Sequence, residues 1–101
     1  MKNNKFLTLL GFAHKSRNLV TGEDTCTMNI KKDAVYLVFI AGDASDNTKD
    51  RFTHLCKVRN LPYRIVLDRD TLSSAIGKVN RTVFGVTDRK FAEEMLKALD
   101  A

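Results

Sequence analysis

The chain alternates between two hydrophobic periods, the pattern of a layered α/β domain. Over residues 3–14, Phe6, Leu9, Leu10 and Ala13 recur at i, i+3, i+4 and i+7, on one face of a helix. Gly11 weakens this helix, and Lys15-Ser16-Arg17-Asn18 ends it in a polar turn. Leu19-Val20-Thr21 reads as a short extended piece. Gly22 follows, then Glu23-Asp24-Thr25, whose acidic groups complement the positive end of a helix dipole. This second helix is predicted to run to about Lys32, with Cys26 and Ile30 buried. Lys31 and Lys32 close it at its negative end.

Ala34 to Ala41 (AVYLVFIA) is a continuous β-branched and aromatic run with no alternation. It predicts a strand buried on both faces, with helices above and below. Gly42 to Asp46 makes a loop, and a third helix from about Asn47 to Arg59 buries Phe52, Leu55 and Cys56. Asn60-Leu61-Pro62 stops it, and Tyr63 to Leu67 is the next strand. Asp70 is expected to cap a short helix, Thr71 to Ile76, with Gly77 just past its end. Lys78 to Arg81 is a loop, and Thr82 to Val86 the last strand. Thr87 or Asp88 caps a final helix, with Phe91, Met95, Ala98 and Leu99 as its buried stripe. The expected architecture is a three-layer α/β/α sandwich around a four-stranded mixed sheet. Strands joined through helices should be mostly parallel, and the short first strand could lie antiparallel at an edge.

With 101 residues, the chain has room for one domain, residues 1–101. An apolar fraction of 44% and a charged fraction of 29% exclude disorder. Met1 to Leu10 lacks the long apolar core and cleavage site of a signal peptide, and Ala34 to Ala41 is too short to span a bilayer. A cytoplasmic protein with no membrane partner is expected. Cys26 and Cys56 form no C-x-x-C pair and read as buried, reduced thiols. The formal net charge of +5 is uneven: residues 1–50 hold seven basic and six acidic groups, residues 51–101 ten and six.

Nucleophilic catalysis requires a Ser or Cys beside a His that a carboxylate orients. His14 and His54 lie in no such motif. Asp43, Asp46, Asp68 and Asp70 all follow strands, where open α/β sheets place ligands. Their plainer reading is helix capping and turn formation, with Asp46 and Asp70 as the caps. No phosphate-cradling glycine motif is present, and nothing in the sequence calls for a cofactor or a metal. The basic groups form a more coherent set. Lys15 and Arg17 lie in the first turn, Lys31 and Lys32 end the second helix, and Lys78 and Arg81 flank the late loop. The first turn, the start of the second helix and the late loop are expected to share one end of the domain. A helix N-terminus beside basic loops suits phosphate.

Four stretches, FLTLLGFAHKSRNLVTGED, AVYLVFIAGDASDNTKDRFTHLCKVRNLP, LSSAIGK and VFGVTDRKFAEEML, cover almost the whole chain. Together they resemble the kink-turn RNA-binding ribosomal-protein family, in particular its short bacterial ribosomal-like paralogues. The resemblance implies the same α/β/α sandwich and RNA binding without catalysis. It implies that the start of the second helix meets a sharply bent RNA, where sheared G·A pairs follow a bulge. The late loop, Ile76, Gly77, Lys78, Val79, Asn80 and Arg81, would rest on the bulge bases. The family's reading motif, roughly Gly-x-Asn-Glu-x-x-Lys, falls on Gly22, Glu23, Asp24, Thr25 and, three residues on, Met28. Gly22 matches. Asp24 stands where Asn is usual, Thr25 where Glu or Gln is usual, and Met28 where Lys is usual. A guanine presents only acceptors, O6 and N7, in the major groove. Asn donates to them and an ionised Asp cannot. Each such contact is worth about 1–3 kcal/mol of discrimination.

Three readings follow. In the first, the protein is a monomeric accessory of ribosomes or ribonucleoproteins that grips structured RNA at Gly22 to Thr25 and Ile76 to Arg81. Lys15, Arg17, Lys31 and Lys32 supply phosphate contacts, and ribonucleoprotein proteins are its neighbours. In the second, Asp24 and Met28 mark a protein-interaction module on the same fold. In the third, a small-ligand site lies at the Asp43 and Asp68 loops, which requires a pocket of convergent polar groups there.

Overall fold

The computed structural model describes residues 3–101; Met1 and Lys2, included in the N-terminal reading above, lie outside the described residues. The elements in chain order are α1 (Asn4–Lys15), β1 (Leu19–Thr21), α2 (Glu23–Lys31), β2 (Leu37–Ala41), α3 (Asp46–Val58), β3 (Tyr63–Val66), α4 (Arg69–Ala75), β4 (Val83–Val86) and α5 (Arg89–Asp100). Three of the helices start on a capping side chain. Ser45 accepts from the Thr48 N–H, Asp68 from Thr71 and Asp88 from Phe91. Asp46 and Asp70, the caps expected from the sequence, are already inside α3 and α4. The side chain one or two positions earlier reaches the open amides instead.

The first four helices stop alike. The residue after each C-cap is left-handed: Arg17 (φ 62), Asp33 (φ 57), Asn60 (φ 54) and Gly77 (φ 68). The next amide reaches back five residues, from Asn18 to Ala13, Ala34 to Asn29, Leu61 to Cys56 and Lys78 to Ser73, at 2.8–3.0 Å. These bonds satisfy carbonyls that a helix end leaves open. Only the last of the four uses the glycine that the turn favours.

The sheet has the order β1-β4-β2-β3. β2 and β3 are parallel, and β4 runs antiparallel to both β1 and β2. The expectation of a four-stranded mixed sheet in an α/β/α sandwich therefore holds, as does the antiparallel edge strand. The expectation of mostly parallel neighbours fails at β4. A seven-residue α4 rises only about 10 Å, too little to carry the chain back along the sheet. The loop after it returns to the end where β3 stopped, so β4 enters there and runs the opposite way. The predicted strand at Ala34 to Ala41 is also shorter. Residues 34–36 lead into it, with the Tyr36 ring exposed.

Every residue of β2 is buried, as an element covered on both faces must be. Leu37, Phe39 and Ala41 face α1, α4 and α5, and Val38 and Ile40 face α2 and α3. On the first side Phe39 meets Phe6 edge-on, with ring centroids 5.2 Å apart, and stacks on its register partner Phe84 at 4.8 Å. The stripe of α5 is Ala92, Met95 and Ala98, with Phe91 and Leu99 only partly buried. This rotates the predicted stripe toward the small alanines, which allow α5 to approach the sheet closely.

On the second side Cys26 and Cys56 are both buried and unbridged. Burial pushes the Cys26 thiol up to about 12, with the neighbouring Cys56 adding to it, and pushes Cys56 up to about 11. Native protein should therefore resist iodoacetamide at pH 8, and urea-unfolded protein should label at both sites. Unfolded thiols ionise near their ordinary value of 9.0 while the buried ones stay neutral. Folding stability should be full below pH 9 and decline as pH rises from there toward 12. Flat stability across that range in urea titrations would contradict it.

Candidate functional site

One end of the sheet gathers the last residue of β1, the first of β4 and the last of β2. Gly22 links β1 to α2 with φ 94 and ψ 154, a conformation that only glycine adopts without strain. Its N–H donates to the Val83 carbonyl at 3.0 Å, which fixes the helix start against β4. Glycine supplies no capping side chain. The first-turn amides of α2 are thus left open toward the surface, with the positive end of the dipole behind them. Glu23 does not project freely from this turn. Its carboxylate is paired with Arg51 from α3 and lies 3.4 Å from the Thr48 hydroxyl. Asp24, Thr25 and Met28 are exposed on the outer side of α2.

The loop between α4 and β4 forms the facing wall. Ser73, 1% exposed, holds its far end: the hydroxyl accepts from the Arg81 N–H at 3.0 Å and donates to the Arg81 carbonyl at 3.2 Å. At the near end Lys78 N–H bonds Ser73 O. Between these anchors Lys78, Val79 and Asn80 stand in solvent, Val79 at 73% exposed. The Arg81 guanidinium folds back onto the Val79 carbonyl at 3.1 Å. Ile76 differs from the rest of the predicted loop set. Its side chain is buried in the core under α1 and α4, where it anchors the loop and offers no surface.

Together the two walls enclose an open cleft of about 470 Å³, lined by Thr21, Gly22, Glu23, Asp24, Arg51, Asn80, Arg81 and Thr82. The expected meeting of the second helix's start with the late loop is therefore present. Arg51, Thr21 and Thr82 were not among the sequence candidates. Arg51 lies 28 residues from its partner Glu23, and only the packing of α3 beside α2 brings them together. The cleft's charges balance, Glu23 and Asp24 against Arg51 and Arg81.

The first turn, by contrast, does not share this end. β1 starts beside Val86 and finishes beside Phe84. Thr87 N–H bonds the Asn18 carbonyl, so Lys15 and Arg17 sit at the opposite end of the sheet. Lys31 and Lys32, at the C-terminus of α2, lie at that far end too. The basic residues grouped by sequence thus divide between two ends of the molecule.

The acidic loops are committed to the backbone. Asp43 accepts from the Arg69 N–H at 2.8 Å, and hydrogen bonds from the Thr71 hydroxyl and amide hold the Asp68 carboxyl below the usual carboxylate range. Among the described residues no cluster of three or more His, Cys, Asp or Glu is placed to hold a metal ion, and no helix is long and apolar enough to cross a membrane.

Residues 4–96 match the ribosomal protein L7Ae/L30e/S12e/Gadd45 family. The chain belongs to this family. Among its relatives, the "RNA-binding protein YlxQ" of Bacillus subtilis (strain 168) is 37% identical over 100 residues, covering 99% of this chain and 100% of that protein. The protein of the same name from Enterococcus faecium is 30% identical over 96 residues, covering 95% and 92%. A solved structure from Bacillus halodurans C, described as a protein with unknown function, superposes with a TM-score of 0.94 at 35% identity, covering 96% of this chain and 98% of that one. The Giardia lamblia 15.5kD RNA binding protein shares the fold, with a TM-score of 0.81 at 16% identity and coverage of 98% and 85%. Family membership agrees with the resemblance carried by the four sequence stretches and with the sandwich described above. On the family's scaffold, the Gly22 turn and the clamped loop are the two walls of the cleft.

Proposed function

We propose that this single domain is a non-catalytic RNA-binding protein whose cleft engages a structured, sharply bent RNA as an accessory of ribosome or ribonucleoprotein function. The observation that carries the reading is the cleft itself. Open first-turn amides of α2 face an exposed loop that a buried serine holds in place. Amides at a helix start suit phosphate or a base acceptor, and the exposed Val79 offers an apolar surface for an unstacked base. The names of the two bacterial relatives support RNA as the ligand class.

Recognition of a kink-turn is the finer part of the reading, and Asp24 is where it is most sensitive. A carboxylate there repels guanine O6 and N7. Asp24→Asn should raise affinity for a bulged stem with tandem G·A pairs by about tenfold, within the range of one base contact, and leave a plain duplex unchanged. A mobility-shift titration of both RNAs at two salt concentrations tests the proposal. Wild-type binding should favour the bulged stem and weaken with salt. Equal, salt-insensitive binding to both would reject it.

A second reading rests on the same residues. Asp24 is acidic, Met28 is 50% exposed and the cleft carries no excess positive charge, a surface that also suits a protein. Its mark is a protein that copurifies without nucleic-acid absorbance.

A further inference from the structure

The end of the sheet opposite the cleft carries the excess positive charge of the chain. α1, α2 and α3 finish there and α5 begins there. Lys15, Arg17, Lys31, Lys32, Arg89 and Lys90 are all exposed at that end. Among the described residues, no carboxylate lies within ion-pair distance of any of the six. Of the acids at or near this end, Glu93, one turn into α5, is exposed and among the described residues makes no ion pair, and the other two are occupied. Asp33 is bound by Arg59 at 3.0 Å, and Asp88 caps α5 by accepting from Phe91 N–H at 2.9 Å. Glu94, a turn further along α5, pairs with Lys97 on its own helix.

The helix ends do not account for six cations. Each C-terminus is worth about half a negative charge, and the start of α5 returns half a positive one. Three ends against one offset only about one charge. The cations also flank strand ends that adjoin one another. Thr87 N–H bonds Asn18 O and Tyr36 N–H bonds Val86 O, so the β1, β4 and β2 edges of this end lie side by side. Neighbouring strands are about 4.8 Å apart. The exposed Tyr36 ring is faced by the Arg89 guanidinium, 5.4 Å from the ring centroid. A like-charged face of this kind is self-repelling unless a polyanion covers it.

We propose that this far end is a second, sequence-independent RNA-backbone site, so that one molecule holds two duplex segments. Double-stranded DNA carries about one negative charge per 1.7 Å of its axis, and an RNA duplex, with a phosphate on every nucleotide, is comparably dense, enough to meet all six cations along a short stretch. Distance makes the two sites separate. Five residues of β2 span roughly 16 Å, so an RNA seated only in the cleft leaves the far end open. The assignment of RNA as the common ligand rests on the function proposed for the cleft.

The test uses a bulged G·A stem with short flanks and a plain RNA duplex of about two helical turns, labelled in different colours. The wild-type protein saturated with the bulged stem should capture the plain duplex in the same complex. Lys15→Gln/Lys31→Gln/Lys32→Gln/Lys90→Gln removes four exposed, unpaired charges. It should weaken duplex binding at least about tenfold and reduce the log–log salt slope by up to about four. Its affinity for the bulged stem should stay within twofold of wild type. The proposal is overturned if the two RNAs displace each other, if wild type captures no duplex, or if the four-glutamine variant binds duplex like wild type. Polyglutamate competing with the duplex charge for charge would overturn the choice of RNA. Asp24→Asn moves only the bulged-stem arm, so failure of the cleft and failure of the far end read out separately.

Discussion

Phe39→Ala should lower folding stability by about 3–5 kcal/mol, the usual cost of removing a buried phenylalanine. Phe39 is 0% exposed at the centre of β2 and touches rings from two directions, Phe6 on α1 and Phe84 on β4. Neither ring can follow an alanine inward, because Phe84 is fixed by strand pairing on both sides, with Thr21 and with Phe39 itself. The cavity would stay open. A domain of this length has a total stability of roughly 5–15 kcal/mol, so the variant should lose about a fifth of it or more. Urea unfolding followed by circular dichroism should show a lower midpoint at an unchanged slope. A loss below about 1.5 kcal/mol would mean that the three rings do not form one rigid unit.

Gly22→Ala should act by a different route. An added Cβ meets nothing within 4 Å, so no neighbour is struck. The cost is in the backbone. At φ 94 and ψ 154 an alanine is strained by about 1–3 kcal/mol. The chain can relieve that strain only by turning the Gly22 peptide, which breaks its bond to Val83 O and swings the first amides of α2 away from the loop. Thermal unfolding should report the strain. Mobility shifts with the bulged stem should report the swing as a loss of about tenfold or more, while plain duplex binding stays as it was. Wild-type affinity for the bulged stem in this variant would remove the helix start from the site.

The five helices were legible because each carries a one-sided apolar stripe, and β2 because eight apolar residues in a row have no amphipathic alternative. The direction of β4 was not legible. It depends on how far α4 carries the chain, and that is a matter of helix length rather than of composition. The caps shifted for a local reason. Asp68 and Asp70 are equally able to cap, and the outcome was decided by where the β3 backbone ends relative to Thr71. At the cleft, the pairing of Gly22 with the late loop followed from the motif. Arg51 did not, because Glu23 and Arg51 are far apart in sequence and share no pattern. The spread of basic residues over both ends was hidden for the same reason. Lys15 and Arg17 stand only a few residues before Gly22, yet a strand separates them and sends them to opposite ends.

The strand order has a consequence for how the protein is made. β1 is made before β4, and among the described residues β4 is its only strand partner. The Gly22 amide waits for the carbonyl of Val83, and α1 waits for α5 to cover it. At about 5–20 residues per second, roughly 65 residues between Thr21 and Val86 take on the order of 3–13 s. Through that interval the emerging polypeptide has basic residues but no assembled cleft. Selective recognition therefore switches on all at once after β4 has emerged, when that strand slides between two that were made long before it.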